Sequence, residues 1–196
     1  MADVCDFALA QDISIQCDNP QTSGLKNTGW LMNYDEVDWD NLTKTKNIVS
    51  KLALKKGRAY RCVVPGKTPF TGTQVAMVAG TYKNKFNKTA AIVVLDSGPD
   101  VCENIIDQLA NGRFIFVFEN KYQGKDSKNT FEIYGLEQGL VASEMTNDKY
   151  SEDTDGGWAV TLIEENAVKS GIFLFGESLS ATRAALASLE TGSQSS

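Results

Sequence analysis

The stretch FNKTAAIVVLDSGPDVCENIIDQLANGRFIFVFE, residues 86–119, decides the fold class of this 196-residue chain. Its first ten residues end in a continuous apolar run, which is typical of a buried strand. Pro99 suits a first helical turn, apolar side chains then follow at helical spacing, and Gly112 is a common stop. The spacing therefore predicts a helix over about 97–111. The last seven residues are mostly apolar again and predict a second strand.

Outside that stretch, the apolar pattern mostly has a period of two, which is typical of half-buried strands. Asp12 to Cys17 alternates strictly, and further strands are predicted at 29–34, 37–39, 48–54, 59–64, 70–82, 130–134, 140–144, 158–163 and 171–175. The length suits a single hydrophobic core. We therefore expect a mainly β fold, a β-sandwich or rolled antiparallel sheet, with one flanking α-helix at about 97–111.

Two basic segments fall between predicted strands. The strands at 70–82 and 86–95 are the longest pair and are joined by a short junction that contains Lys83 and Lys85. The segment Lys55-Lys56-Gly57-Arg58 lies between the strands predicted at 48–54 and 59–64. This arrangement predicts a second hairpin with a basic tip.

The last twenty residues differ in character from the rest of the chain. Serine, alanine and threonine dominate there, while Leu179, Arg183, Leu186 and Leu189 fall at the spacing of one weak amphipathic helix. Such a helix is marginal in water on its own. We therefore expect residues 1–176 to form one β domain and residues 177–196 to be an arm or a disordered tail.

The charges are distributed unevenly along a chain of net charge −6. Residues 41–90 hold eleven bases and no acid, whereas residues 1–40 hold eight acids and one base. The basic third is either a solvated face balanced by acids of the fold, a surface that meets the acidic surface of another copy, or a nucleic-acid patch with interleaved aromatics. The acidic total argues against a protein whose main task is to grip a phosphate backbone.

The sequence offers no catalytic residues, cofactor site or metal ligands. It contains no histidine, which excludes histidine-based nucleophilic, metal and pH-switch chemistry. Its cysteines form no CxxC pair and are expected to be free, buried thiols, with one or two disulfides as the alternative; they are Cys5, Cys17, Cys62 and Cys102. No export signal is visible, and no apolar run is long enough for a membrane span. We therefore expect a protein that is not an enzyme.

Several short motifs follow one another along the chain in an informative order. The opening strand Ser14-Ile15-Gln16-Cys17-Asp18-Asn19-Pro20 is followed by the turn Ser23-Gly24-Leu25-Lys26 and the strand end Leu31-Met32-Asn33-Tyr34-Asp35. Later come the helix at 100–111 with its following strand, then Tyr134-Gly135-Leu136-Glu137-Gln138-Gly139-Leu140, then Asp155-Gly156-Gly157-Trp158-Ala159-Val160-Thr161-Leu162. In this order and spacing, over roughly residues 5 to 175, they resemble a family of tail tube proteins from phages of Bacteroidetes-type hosts.

The resemblance implies a tail-tube-like β fold whose subunits assemble as hexameric rings stacked head to tail. It implies a virion structural protein of the tail, assembled in the host cytoplasm, whose partners are copies of itself, other tail proteins and passing DNA that it does not bind specifically. Two alternatives stay open: another ring protein of the virion, at the neck or tail end, and a monomeric β-sandwich module for carbohydrate or protein. For the module, Trp30, Trp39 and Trp158 would form a stacking platform.

Candidate residues for this role follow from the charge distribution. Bases without nearby acids repel each other unless acids of another copy approach them. The candidates for a contact between copies are therefore Lys55, Lys56, Arg58, Lys83 and Lys85. A conduit must let DNA slide, so its wall should be acidic or neutral in sum. The lumen candidates are Asp96, Glu119, Glu132, Glu144 and Glu164. A register error of one residue would move any of these strand acids to the opposite face.

Overall fold

The computed structural model describes residues 8–14, 17–63 and 70–192. Their strands are β1 (Leu25–Asn33), β2 (Thr43–Thr45), β3 (Ile48–Lys51), β4 (Tyr60–Val63), β5 (Phe70–Val78), β6 (Lys85–Val94), β7 (Phe114–Asn120), β8 (Phe131–Tyr134), β9 (Val141–Asn147), β10 (Trp158–Ala167) and β11 (Phe173–Leu174). A seven-stranded sheet has the order β2-β3-β11-β8-β7-β1-β4, and a four-stranded sheet has the order β5-β6-β10-β9.

The seven-stranded sheet is the middle layer of the molecule. Its strand β7 is buried on both faces from Phe114 to Glu119, which explains the continuous apolar run in its sequence. On one face, Phe116 and Phe118 pack against Ile92 and Leu162 of the four-stranded sheet in one core cluster. Residues on the other face form a second cluster with the chain's C-terminal segment. The predicted mainly β sandwich with a flanking helix is confirmed.

A helical segment separates β6 from β7, as the sequence predicts. It consists of Pro99–Val101, a π-helical turn at Cys102–Ile106, and Asp107–Asn111. We call these three pieces the middle helix. Ile106 and Leu109 pack into the cluster between the two sheets. Pro99 stands at the first turn, and the backbone N–H of Gly112 closes the last turn on the carbonyl of Gln108.

The C-terminal segment is a docked helix rather than the expected arm or disordered tail. Leu179–Thr191 is α-helical, and the Ser178 hydroxyl caps it by accepting from the N–H of Ala181 at 3.1 Å. Leu186 is fully buried against the seven-stranded sheet, with Leu179 and Leu189 beside it. Packing of this short apolar stripe supplies the stability that the isolated helix lacks. Residues 193–196 lie outside the described residues.

The predicted hairpin of 48–54 with 59–64 is wrong. Strand β3 lies next to β2 and β11, whereas β4 pairs with β1 at the opposite edge of the seven-stranded sheet. The basic segment 55–58 therefore crosses between the two ends of the sheet. Its start is held by the backbone N–H of Lys55, which donates to the carbonyl of Glu36 at 2.8 Å. Turn chemistry alone does not choose a strand's partner, because the pairing depends on contacts distant in sequence.

The N-terminal region also differs from its predicted structure. Strict alternation predicts a strand over 12–17, yet residues 12–14 form no strand and are exposed, and Cys17 lies in an exposed bend. Residues 15 and 16, and also Cys5, lie outside the described residues. By contrast, the predicted pairing of the long strands is confirmed, because β5 and β6 form an antiparallel hairpin from Gly72 with Ala91 to Val78 with Lys85.

Candidate assembly surface

Among the described strands, the four-stranded sheet has two open edges. Strand β5 lies at one edge and β9 at the other, with β6 and β10 between them. In the described part of β5, from Thr71 to Val78, the side chains are exposed apart from the half-buried Thr73. Met77 is 60% exposed although it is apolar, and Val75 and Val78 are also exposed. An edge of this kind is a template for pairing with another chain.

The face of this sheet that points away from the core carries small and mostly uncharged side chains. Register places Gln74 opposite Thr89, Ala91 opposite Thr161, and Thr161 opposite Glu144, and paired residues share one face. The buried face alternates with it and holds Ala90, Ile92, Val160 and Leu162. Because its charges are few, with Glu144 on β9 and Lys85 at the start of β6, this outer face has no strong electrostatic attraction for a polyanion.

The five lumen candidates have different locations. Asp96 and Glu144 are exposed. Glu119 is buried, and its Oε1 atom pairs with Lys26 at 2.8 Å and with Arg183 at 2.6 Å. Glu164 is fully buried. Glu119 and Glu164 are therefore excluded as lumen residues, because they are engaged within the subunit.

Glu132 is an intermediate case. It is partly buried on β8, and the amide of Asn120 donates to its Oε2 atom at 3.4 Å. Burial raises the pKa of this carboxyl, while the Asn120 hydrogen bond and the charge of Lys88 act in the opposite direction. Its neighbour Ile133 points into the core. Glu132 lies on the seven-stranded sheet, so it is not part of the outer face of the four-stranded sheet.

A buried ion pair links neighbouring strands β6 and β10 on the core side of the four-stranded sheet. The ammonium of Lys88 lies 3.4 Å from Oε2 of Glu164, and both side chains are fully buried. Three backbone N–H groups, those of Gly135, Glu137 and Gln138, donate to the same carboxylate at 2.9 Å. The carboxylate therefore holds the turn after β8 against β10. This role was not predicted from the sequence. A signal was present, because Lys88, Ala90 and Ile92 occupy alternate positions and so lie on the same, buried face of β6.

Strand β5 is tied to the core at one point of the same region. The hydroxyl of Tyr134 on β8 is hydrogen-bonded to Thr73, and burial raises the pKa of this tyrosine. Lys88 lies 5.9 Å from the centre of the Tyr134 ring. Beyond this point, Val75 and Met77 share the face of Lys88 and Phe86 but are exposed. The hairpin therefore extends past its support in the single subunit.

All five contact candidates are exposed. They do not form one cluster, because they lie on different sheets and have different partners. Lys55 lies 3.4 Å from Asp40, and the guanidinium of Arg58 lies 5.0 Å over the ring of Tyr60. Lys83 and Lys85 lie at the tip of the β5–β6 hairpin, on the other sheet. Lys85 pairs with Val78 on the strand ladder, so this base of the basic third lies on the outer face of the four-stranded sheet, whereas Lys88 lies on its buried face.

The three tryptophans do not form a platform. Trp30 belongs to the cluster beneath the C-terminal helix and Trp158 packs against the cluster between the sheets, whereas Trp39 contacts Tyr34 with ring centres 4.9 Å apart. Cys17, Cys62 and Cys102 are free thiols. Cys17 is exposed rather than buried, and burial raises the pKa of Cys62 to about 11.

Across the described ranges, no three acidic or cysteine side chains cluster in a way that could hold a metal ion. Likewise, no described helix has the length and apolar character needed to cross a membrane. Comparison of the chain with protein-family models, curated proteins and solved structures finds no match.

Proposed function

We propose that this chain is a structural subunit of a phage tail tube, in which rings of identical copies stack head to tail around a DNA conduit. The observation that carries the proposal is the four-stranded sheet with two open edges and a small, mostly uncharged outer face. Pairing of β5 of one copy with β9 of the next would continue the sheet around a ring. Closure of the ring removes every such edge.

The sequence of β5 favours this use. Strands at the edges of monomeric proteins are commonly protected by lysine or proline. The nine residues Phe70–Val78, FTGTQVAMV, contain no charge and no proline. Such a strand fits an edge that is covered in the assembled protein better than one that stays exposed in a monomeric binding module.

The dimensions are suitable for a conduit. Six copies, the number implied by the resemblance, would supply 24 strands from four-stranded sheets. At about 4.8 Å per strand the barrel diameter is about 37 Å without tilt, and about 48 Å with strands tilted by about 40°. The outer face of the sheet would line this bore, with Thr89, Ala91 and Thr161 near its middle and Glu144 as an acid. Such a wall offers few counterion-releasing contacts, so DNA can slide.

The same reasoning gives the expected partners and location. The subunit would contact copies of itself and other tail proteins, and it would contact passing DNA without sequence preference. It would be assembled in the host cytoplasm and reside in the virion tail. A ring at the neck or tail end would use the same edges, and only its position in the particle would differ.

The test is electron microscopy and sedimentation velocity on the purified chain, with Val75→Glu/Met77→Glu as the edge variant. Both residues are exposed, so the subunit should still fold, while two unpaired carboxylates would have to leave water where β5 meets the β9 strand of a neighbour. We expect rings or tubes from the unmodified chain and none from the variant. The matched control is Tyr150→Glu, at an exposed residue outside both edges, and it should assemble normally. A monomer at every concentration, or rings from the edge variant, would contradict the proposal.

A further inference from the structure

The N-terminal segment of the described chain is a strand sequence without a strand partner. In residues 8–14 every side chain is exposed, with Leu9 at 84% and Ile13 at 91%. In the sequence, the odd positions from Phe7 to Cys17 are apolar except for Gln11, while the even positions are small or polar. A period of two over this length predicts one apolar face. None of the described residues covers that face within a single subunit.

Strand β4 offers an edge with matching properties. It pairs only with β1 among the described strands, so its other side is open. Beside it, a cleft of about 650 Å³ opens between the two sheets and the middle helix. Its apolar lining includes Leu31, Cys62, Val63, Ile92, Ile105 and Leu109. Val63 and Ile105 are exposed in the subunit, so the cleft provides apolar surface for an added strand.

Charge also distinguishes this edge from the others. The first 24 residues hold four acids and no base. The cleft beside β4 is lined by two bases, Arg58 and Arg61, and by no acid. Strand β2, the other edge of the seven-stranded sheet, has only three residues, Thr43–Thr45, and none of them is apolar. Strand β4 therefore combines an open backbone edge, an apolar cleft and complementary charge.

We propose that residues 8–14 of one copy add as a strand to the β4 edge of a second copy, with Leu9 and Ile13 over the apolar cleft and Asp12 facing Arg58 or Arg61. Main-chain hydrogen bonds would give this contact its affinity, and the alternating side chains would give it specificity. Donor and acceptor surfaces differ, so the contact is head to tail and extends from copy to copy. The inference holds whether or not the four-stranded sheets close a ring.

The test uses the full chain carrying Val75→Glu/Met77→Glu, so that pairing of the four-stranded sheets does not contribute. Sedimentation velocity over a range of concentrations should show reversible association. Adding Leu9→Asp/Ile13→Asp should weaken it by about tenfold or more, since strand and apolar contacts are both lost. These residues are exposed, so the far-UV circular dichroism and the melting temperature should stay unchanged. Tyr150→Asp, an equally exposed site elsewhere, is the control and should associate normally.

A mixing experiment distinguishes binding of the N-terminal segment to β4 of a second copy from binding to β4 of its own chain. The donor-defective variant Leu9→Asp/Ile13→Asp keeps an intact β4, and the acceptor-defective variant Arg58→Glu/Arg61→Glu keeps an intact N-terminal segment. With Val75→Glu/Met77→Glu also present in both, each alone should remain monomeric at concentrations where the parent associates, and a one-to-one mixture should give heterodimers but no longer chains. A monomeric mixture would show that the segment binds its own edge or none. That result, or association unchanged by Leu9→Asp/Ile13→Asp, would overturn the proposal.

Discussion

Replacing Glu164 by glutamine should destabilise the protein far more than replacing Lys88 by methionine, although the two side chains form one buried ion pair. The reason is an asymmetry in their hydrogen bonds. Glu164 accepts three backbone N–H groups at 2.9 Å. The ammonium of Lys88 lies 3.4 Å from the same carboxylate but has no hydrogen-bond partner among the described residues. The carboxylate is thus supported by the turn after β8, whereas the ammonium is supported by the carboxylate.

The expected magnitudes follow from what each substitution leaves behind. Glu164→Gln turns an acceptor oxygen into an NH2 group that faces donors, and it leaves the ammonium of Lys88 buried and unpaired. Loss of one partner of a buried pair in this way costs about 3–5 kcal/mol of unfolding free energy. Lys88→Met removes the ammonium itself and leaves the carboxylate with its three N–H donors, so we expect about 1–2 kcal/mol.

The assay is urea unfolding followed by fluorescence of the partly or fully buried Trp30 and Trp158, with thermal unfolding as a second measurement. Glu164→Gln should lower the melting temperature by roughly 10 °C. The matched control is Glu165→Gln, an exposed acid next in sequence, which should change the unfolding free energy by less than about 0.5 kcal/mol. If Lys88→Met lowers the unfolding free energy as much as Glu164→Gln does, the backbone hydrogen bonds of Glu164 do not create the expected asymmetry.

Three further outcomes are expected. Gly135→Ala should cost at least about 2 kcal/mol, because φ is +82° and a Cβ would lie 2.3 Å from the carbonyl oxygen of Phe114, whereas Gly72→Ala, with open space around it, should be nearly neutral in urea unfolding. Leu186→Ala should cost about 2–5 kcal/mol of unfolding free energy and loosen the C-terminal helix; a loss below about 1 kcal/mol would contradict its burial. Because burial raises the pKa of Cys62 to about 11, its thiol is protonated at pH 8 and should be alkylated more slowly than exposed Cys17, with a rate that rises as pH approaches 11; equal rates by mass spectrometry would argue against this environment.

Most strands could be predicted from the sequence because their apolar patterns are local. The apolar run at 113–119 predicts a strand, and β7 forms there, with Phe114 to Phe118 all buried. The alternation in β5 and β6 predicts their hairpin, which forms with the expected pairing. The partner of β4 could not be predicted in the same way. Its pairing with β1 joins residues about 30 positions apart, and no local turn specifies it.

The site residues were less predictable than the strands. Glu119 and Glu164 were predicted to lie on a surface because they are charged, yet both are buried with partners. For Glu164 a signal was present, since Val160, Leu162 and Glu164 share one phase of β10 and the first two are core residues. Phase along a strand is therefore a better guide to the location of an acid than its charge. For Glu119 the partners Lys26 and Arg183 are distant in sequence, and no pattern links them.

The edge strands of the two sheets differ in how well they are protected from pairing with another chain. Strand β2 is short and carries Lys44, whose ammonium lies 3.7 Å from Glu137, so this edge has the protection found in monomeric proteins. Strand β5 has nine residues and no such charge. Strand β4 carries Arg61 but borders an apolar cleft with exposed Val63. A protein that protects one edge and leaves these others open gains stability when copies of itself cover them. Because β4 and β5 belong to different sheets, one contact can close a ring while the other links copies in a second direction, which is the geometry that a tube requires.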